Sequence, residues 1–241
     1  MSVYILDLAI AANTVYNFQK GRGNDAAAFT KAEDASRCPP GFQMLVSMEE
    51  TSVGFFGAVY KEKHSKHFIV AYRGTAVGSS SSGQMAGLKN LKTDIGLYAI
   101  ESLPSCLSYA TQLYELARKT LPGDQPVLCG HSLGGAIATI VAVENAAPCC
   151  AFNAPTVSKM VRGGIIHGPY VRVKKEDLPE IEKNIVNFNL QWDPISKSSK
   201  AVGKVIKLPA TMANGGHSQD KVVANIKSSK YASMSFFDLV G

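Results

Sequence analysis

The chain has 241 residues, 46% hydrophobic and 18% charged, which suits one sizeable core; its longest apolar run, Ala136 to Val143, is far short of the roughly 20 residues that span a membrane. The formal charge of +6 is spread along the chain, which argues against a nucleic-acid-binding strip; only Lys197, Lys200, Lys204 and Lys207 concentrate, a set suited to resting on an anionic membrane surface. Five cysteines, with no CxxC and no Cys/His cluster of metal spacing, point to a reduced compartment and give no sign of a metal site.

The first twenty residues have no basic leader, and Asp7, Asn13 and Asn17 interrupt their apolar part, so they do not read as a signal peptide. The expected location is the cytoplasm, or the exterior through export without a cleavable signal. Leu6 to Phe18 has helical spacing. "VGFFGAVYKE" and "HFIVAYRG", joined by the polar residues around "KHSK", predict two paired strands. "VGSSSSG", Val77 to Gly83, reads as a loop. Beyond Pro104, the residues Leu107, Ala110, Leu113, Ala117 and Leu121 share one helical face, and "LPGD" stops it. "PVLC" predicts a short buried strand and Ser132 to Asn145 a helix; "CCAFNA", "NIVNFNLQW" and "AVGKVIKL" predict three more strands, and an amphipathic segment begins near Ser218. Strands alternating with helices predict an α/β fold with a mostly parallel central sheet and helices on both faces. With no repeat, long linker or shift of composition, one domain over 1–241 is expected.

Gly130-His131-Ser132-Leu133-Gly134 isolates one hydroxyl between glycines at the junction of a predicted strand and a predicted helix. The serine is either a helix N-cap or a nucleophile on a sharp strand-to-helix turn. A cap would not require glycine on both sides. A strained turn would, because side chains two residues before and after the serine would collide with the turned main chain. Gly135 then lets the helix close on the sheet, and the helix N-terminus brings positive dipole to where an oxyanion forms.

Such a nucleophile needs a carboxylate and then a histidine downstream. Only His167 and His217 follow Ser132. Before His167 the only acid is Glu144, inside the helical run, whereas His217, in "ANGGHSQD", follows a predicted strand among glycines and is the stronger choice. Asp177 lies in the charged stretch "KKEDLPEIEK", which reads as a solvated face. Asp193 follows "IVNFNLQW", where a strand ends and a loop begins, at the carboxyl edge where open α/β sheets hold functional groups. Its plainer reading is a turn before Pro194. His131 reads as the variable place of the elbow, and His64 and His67 as part of a polar turn.

Together these residues resemble the class 3 lipases, the fungal-lipase-like α/β-hydrolases. "FIVAYRGT", Phe68 to Thr75, is similar to the family's strand ending in Arg-Gly-Ser/Thr, and "NLKTDI" from Asn90 to its Asn-x-x-x-Asp segment. "FNAPTV" from Phe152 resembles the Gly-Ala-Pro-type strand end, "WDPIS" the acid loop and "GGHSQD" the histidine loop. The resemblance spans roughly residues 50 to 225. It implies Ser132 as nucleophile, Asp193 and His217 as its partners, the main-chain N–H groups of Thr75 and Leu133 as oxyanion donors, and a lid over 76–90, where a plain serine loop is the alternative. The implied activity is hydrolysis of carboxylic esters by a lipase or phospholipase acting on acylglycerol or phospholipid, with no metal or organic cofactor. The same residues also suit an esterase, thioesterase or acyltransferase on a non-lipid substrate, or a non-catalytic binding module. The chain departs from the family in Asn153, where glycine is usual, in the short segment from acid to histidine, and in the expected absence of the secreted enzymes' leader and disulfides.

Overall fold

The computed structural model describes residues 3–16, 28–30, 38–74, 103, 105–119, 125–163, 173–196, 201–210 and 216–240. Eight strands form one sheet whose spatial order is the chain order: β1 (Ala28–Thr30), β2 (Phe42–Glu50), β3 (Phe55–Glu62), β4 (Phe68–Tyr72), β5 (Val127–His131), β6 (Cys149–Phe152), β7 (Ile185–Leu190) and β8 (Lys204–Leu208). β1 to β4 pair antiparallel and β4 to β8 parallel. From β2 to β8 the change follows the connections, since the short turns after β2 and β3 reverse the chain while a parallel neighbour needs a long crossover.

Because each parallel strand is laid beside its predecessor without a reversal of order, crossovers of one hand put their helices on one face. That face carries α2 (105–119), α3 (Leu133–Asn145) and α5 (Leu178–Glu182), packed with Val70, Leu128, Cys149 and Ile185 of the sheet. The short α4 (Ser158–Gly163) precedes α5. The opposite face carries α1 (Ile5–Thr14) and α6 (Gln219–Lys227), packed with Val127, Cys129, Cys150, Val186 and Phe188. Successive strand residues therefore enter two different cores. Both faces being buried, the central strands read as unbroken apolar runs rather than alternating ones. α3 is buried from Leu133 through Val143, as expected of a helix that is apolar all round. The five cysteines are free thiols, and among the described residues no helix is long and apolar enough to cross a membrane.

The strands and helices predicted from Leu6 onward are present, but the helix predicted over Leu6 to Phe18 runs from Ile5 and stops at Thr14, with Val15 and Tyr16 in a turn and 17–18 outside the described residues, and the helix predicted from Ser132 begins at Leu133. Four further elements are not legible from periodicity, the six-residue α4 among them. β1 is too short to show a period, and β2 pairs with β3 across an irregularity between Met44 and Val46 that breaks its alternation. α5 lies in the charged stretch read as solvated: Asp177 and Glu180 are exposed, but Leu178 and Ile181 are buried against the α2–α3 side.

Glu144 ends the apolar run of α3 beside Thr111 of α2. Burial pushes its carboxyl up from 4.5 to about 7, with the Thr111 hydroxyl pulling the other way. A carboxyl raised on folding holds its proton more tightly in the folded state, so the cost of ionising it is absent below the unfolded value and complete above the folded one. Glu144→Gln is expected to raise the thermal midpoint at about pH 8 and to raise it much less at about pH 5, as calorimetry of both proteins would measure.

Candidate active site

Ser132 follows directly on β5 with φ 57 and ψ −128, a backbone conformation that costs a non-glycine residue about 1–3 kcal/mol. The surrounding main chain imposes it. Ser132 N–H donates to the Phe152 carbonyl at 3.0 Å, and the Ser132 carbonyl accepts from Gly135 and Ala136 at 3.0 and 3.1 Å. A Cβ at Gly130 would overlap the main chain of Gly134, and one at Gly134 would overlap the Tyr72 carbonyl oxygen. At Gly135 it would stand 2.8 Å from Ala154 Cβ and 2.9 Å from the Gly130 oxygen. The first turn of α3 thus lies closer to β4 and β5 than any side chain at these positions permits. Ser132 makes no side-chain cap to α3, which removes the N-cap reading; its Oγ lies 2.6 Å from His217 Nε2.

His217 precedes α6, and α6 is docked on α1. Gln219 Nε2 donates to the Ala9 carbonyl at 2.9 Å, and Asn13 Nδ2 to Asp220 Oδ1 at 2.9 Å. Gly216, at φ 101, turns the chain just before the histidine. The other ring nitrogen, Nδ1, lies 2.8 Å from Asp193 Oδ1. Asp193 is 1% exposed. Its Oδ2 accepts from Ser196 N–H at 2.8 Å and its Oδ1 from Ile195 N–H at 3.4 Å, so both oxygens have partners, as burial of a carboxylate demands.

The turn presenting Asp193 is pinned to the sheet. Asp193 N–H donates to the Leu190 carbonyl and Gln191 N–H to the Leu208 carbonyl, each at 3.0 Å, while Leu190 N–H donates to Asn153 Oδ1 at 2.8 Å. Asn153 holds φ 45, a backbone that asparagine tolerates better than most residues. Its amide does what the usual glycine cannot, tying the end of β6 to the strand that carries the acid.

The three side chains chosen from the sequence are thus brought together at the carboxyl edge of the parallel strands. Leu133, at the first position of α3, is buried, and its N–H belongs to the first turn, where helix amides lack intrahelical acceptors. Thr75, the segment 76–90, His167, Lys197 and Lys200 lie outside the described residues. Lys204 and Lys207 are exposed on β8, the last strand in the sheet order, and His64 is exposed in its turn. An open groove of about 420 Å³ lined by His67, Gln125, Pro148, Asn184, Phe237 and Val240 lies at the amino-terminal edge of the parallel strands and contains none of the three.

Two residues near the site were missed as participants. His131 is 4% exposed, with Nδ1 3.0 Å from Tyr16 Oη and its ring centroid 4.7 Å from that of His217. Burial first, and the neighbouring His217 second, hold its pKa well below 6.5. The period of two along β5 puts His131 on the side of Val127 and Cys129, but nothing local says which helices cover that side.

A mostly parallel sheet with helices on both faces, carrying a serine on a strand-to-helix elbow, defines an α/β-hydrolase. Solved structures share this fold. Lip2 lipase of Yarrowia lipolytica matches with a TM-score of 0.51 at 14% identity over 86% of this chain and 81% of its own. The mono- and diacylglycerol lipase of Aspergillus oryzae matches with a TM-score of 0.51 at 19% identity over 86% and 79%. The model of the Tle-like phospholipase domain, a phospholipase-like family, matches residues 7–232, and the chain belongs to that family. It is also 26% identical over 201 residues to the extracellular phospholipase A1 of Serratia liquefaciens, a match covering 82% of this chain and 55% of that protein, so the chain spans about half the length of this relative.

The elbow's close packing is testable without any substrate. Gly134→Ala is expected to lower folding stability by about 2 kcal/mol or more in urea titration, because its methyl has to displace main chain rather than a flexible side chain.

Proposed function

We propose that this domain hydrolyses carboxylic esters of lipids, as a lipase or phospholipase on acylglycerol or phospholipid. The observation that carries the reading is the line from Ser132 Oγ through His217 to Asp193, with links of 2.6 and 2.8 Å. On this reading Ser132 Oγ attacks the acyl carbonyl carbon while His217 Nε2 takes its proton, and Asp193 accepts a hydrogen bond from Nδ1 and stabilises the imidazolium. The main-chain N–H groups of Leu133 and Thr75 hold the oxyanion. Collapse of the adduct breaks the ester C–O bond, and the alcohol leaves with the proton from His217. Water, deprotonated by His217, then cleaves the acyl-serine, releasing the acid and restoring Ser132. The route needs neither a metal nor an organic cofactor.

Family membership supports a phospholipid substrate, and the relative named an extracellular phospholipase A1 supports export over a cytoplasmic location. Residues 1–241 are assigned to one such domain, with 76–90 as the cover of its acyl groove. The exposed Lys204 and Lys207 support contact with an anionic membrane surface, to which Lys197 and Lys200 would add.

Ser132→Ala is expected to abolish both turnover of a short p-nitrophenyl ester and covalent labelling by a fluorophosphonate. Asp193→Asn should lower kcat by about 10⁴. A Ser132→Ala protein hydrolysing the ester at the parental rate would sink the assignment, and a panel of phospholipids, acylglycerols and thioesters would sort the substrate class. On lipid, the rate should rise abruptly once substrate aggregates and should be higher on anionic than on zwitterionic vesicles. An unbroken hyperbola would remove the cover, and equal rates would remove the lysine contact.

A further inference from the structure

We propose that Tyr16 and His131 are positioning residues for the Ser132–His217–Asp193 line, Tyr16 orienting the His131 ring and that ring supporting the face of the His217 imidazole. The inference rests on the hydrolase reading and adds to it two residues that never touch the ester.

The His217 ring is held at both ends of one axis, Nδ1 by Asp193 and Nε2 by Ser132. Two bonds along one axis fix where the ring lies but leave it free to roll about that axis. A roll swings the nitrogen lone pair and N–H out of line with their partners, and hydrogen bonds weaken steeply with misalignment. A surface against the ring face limits the roll. The His131 ring provides one, its centroid 4.7 Å from that of His217 and its plane tilted by 36°.

The supporting ring is itself tied down by a single oxygen. Tyr16 Oη lies 3.0 Å from His131 Nδ1, donates to the His131 carbonyl at 3.3 Å and accepts from Gly74 N–H at 3.1 Å. A phenol has one hydrogen to give and two lone pairs to fill. With its hydrogen on the His131 carbonyl and the Gly74 amide on one lone pair, the second lone pair takes a hydrogen from Nδ1. That selects the neutral His131 tautomer with Nδ1 protonated and Nε2 bare. Among the described residues Nε2 has no partner, so a second ring N–H would be buried with nothing to accept it.

The same hydroxyl thus joins the chain just past β4, the main chain of the elbow and the ring beneath His217. Contact there is too close for a side chain on Gly74, whose Cβ would stand 2.6 Å from the His131 carbonyl oxygen. A neutral ring also suits the chemistry. His217 becomes cationic as Ser132 attacks, and an uncharged face beside it opposes that charge with none of its own.

The test compares the 241-residue wild-type chain with Tyr16→Phe, His131→Ala and His131→Phe on a soluble short-chain p-nitrophenyl ester, reading kcat, KM, thermal midpoint and the rate of fluorophosphonate labelling of Ser132. Tyr16→Phe should lower kcat about tenfold with KM within about twofold, and His131→Ala about a hundredfold. His131→Phe restores a flat face without nitrogen and should recover part of the loss seen with alanine; labelling rates should fall in the same order. Tyr16→Phe removes one oxygen from an otherwise unchanged ring, so it remains decisive even if an alanine at 131 unfolds the protein. If wild type is labelled and Tyr16→Phe keeps kcat within about twofold, or loses activity only in proportion to folded protein lost, the inference is overturned and the hydrolase reading stands. A wild type that neither turns over the ester nor takes the label would overturn the hydrolase reading and this inference with it.

Discussion

The close approach of the first turn of α3 to strands β4 and β5 decides most of what happens at the carboxyl edge of this sheet. With no room for a Cβ at Gly130 or Gly134, the chain must leave β5 through a turn that only a strained residue can make, and Ser132 makes it at φ 57. The strain, about 1–3 kcal/mol, is small beside the burial it permits. α3 is buried through eleven consecutive residues, Leu133 to Val143, and each fully buried Leu, Ile or Val contributes about 1.5–3 kcal/mol. The same turn aims the hydroxyl away from the helix and out over the sheet edge. Packing and presentation of the serine are one constraint.

Strand order then determines what can reach that hydroxyl. Crossovers laid in chain order spend α2, α3 and α5 on one face of the sheet. The second face falls to the first and last helices, α1 and α6, which pack against each other as well as against the strands. α6 therefore begins at the sheet edge with His217 before its first turn, and α1 ends there with Tyr16 just beyond it. Residues 16, 131, 132, 193 and 217 meet because two helices far apart in the chain share the face left uncovered.

The acid side of the site is governed by desolvation. A carboxylate as buried as that of Asp193 is tolerable only with partners on both oxygens, and the turn to Ser196 supplies them from its own main chain. Beneath it, Asn187 Nδ2 donates to the Val202 carbonyl at 2.8 Å, tying β7 to the approach to β8, while Asn153 ties β7 to β6. The strand that carries the acid is thus fixed from both sides by asparagines, which explains the polar Asn187 at a position where a two-sided parallel sheet otherwise takes Val or Ile.

How much of this was legible depended on the range of the interaction. Glycines flanking Ser132 reveal the elbow because the collisions they avoid involve residues only a few positions away or the neighbouring strand, and the apolar runs of β3 to β7 reveal themselves because period and burial are local properties. The placing of Asp193 and His217 at strand ends could likewise be reasoned from chain order. β2 hid behind its irregularity and α5 behind its charges, since two buried side chains in a polar stretch leave almost no periodic trace. Tyr16 and His131 left no trace of their contact at all. By itself the sequence determined which residues could take part: a serine on a turn too tight for side chains, one downstream acid at a strand end, one histidine after the last strand. Only the tertiary structure decided that they meet, and what lies beneath them, because contact between residues as far apart in the chain as Tyr16 and His131 is set by which helices cover which face of the sheet and by no interaction within either segment.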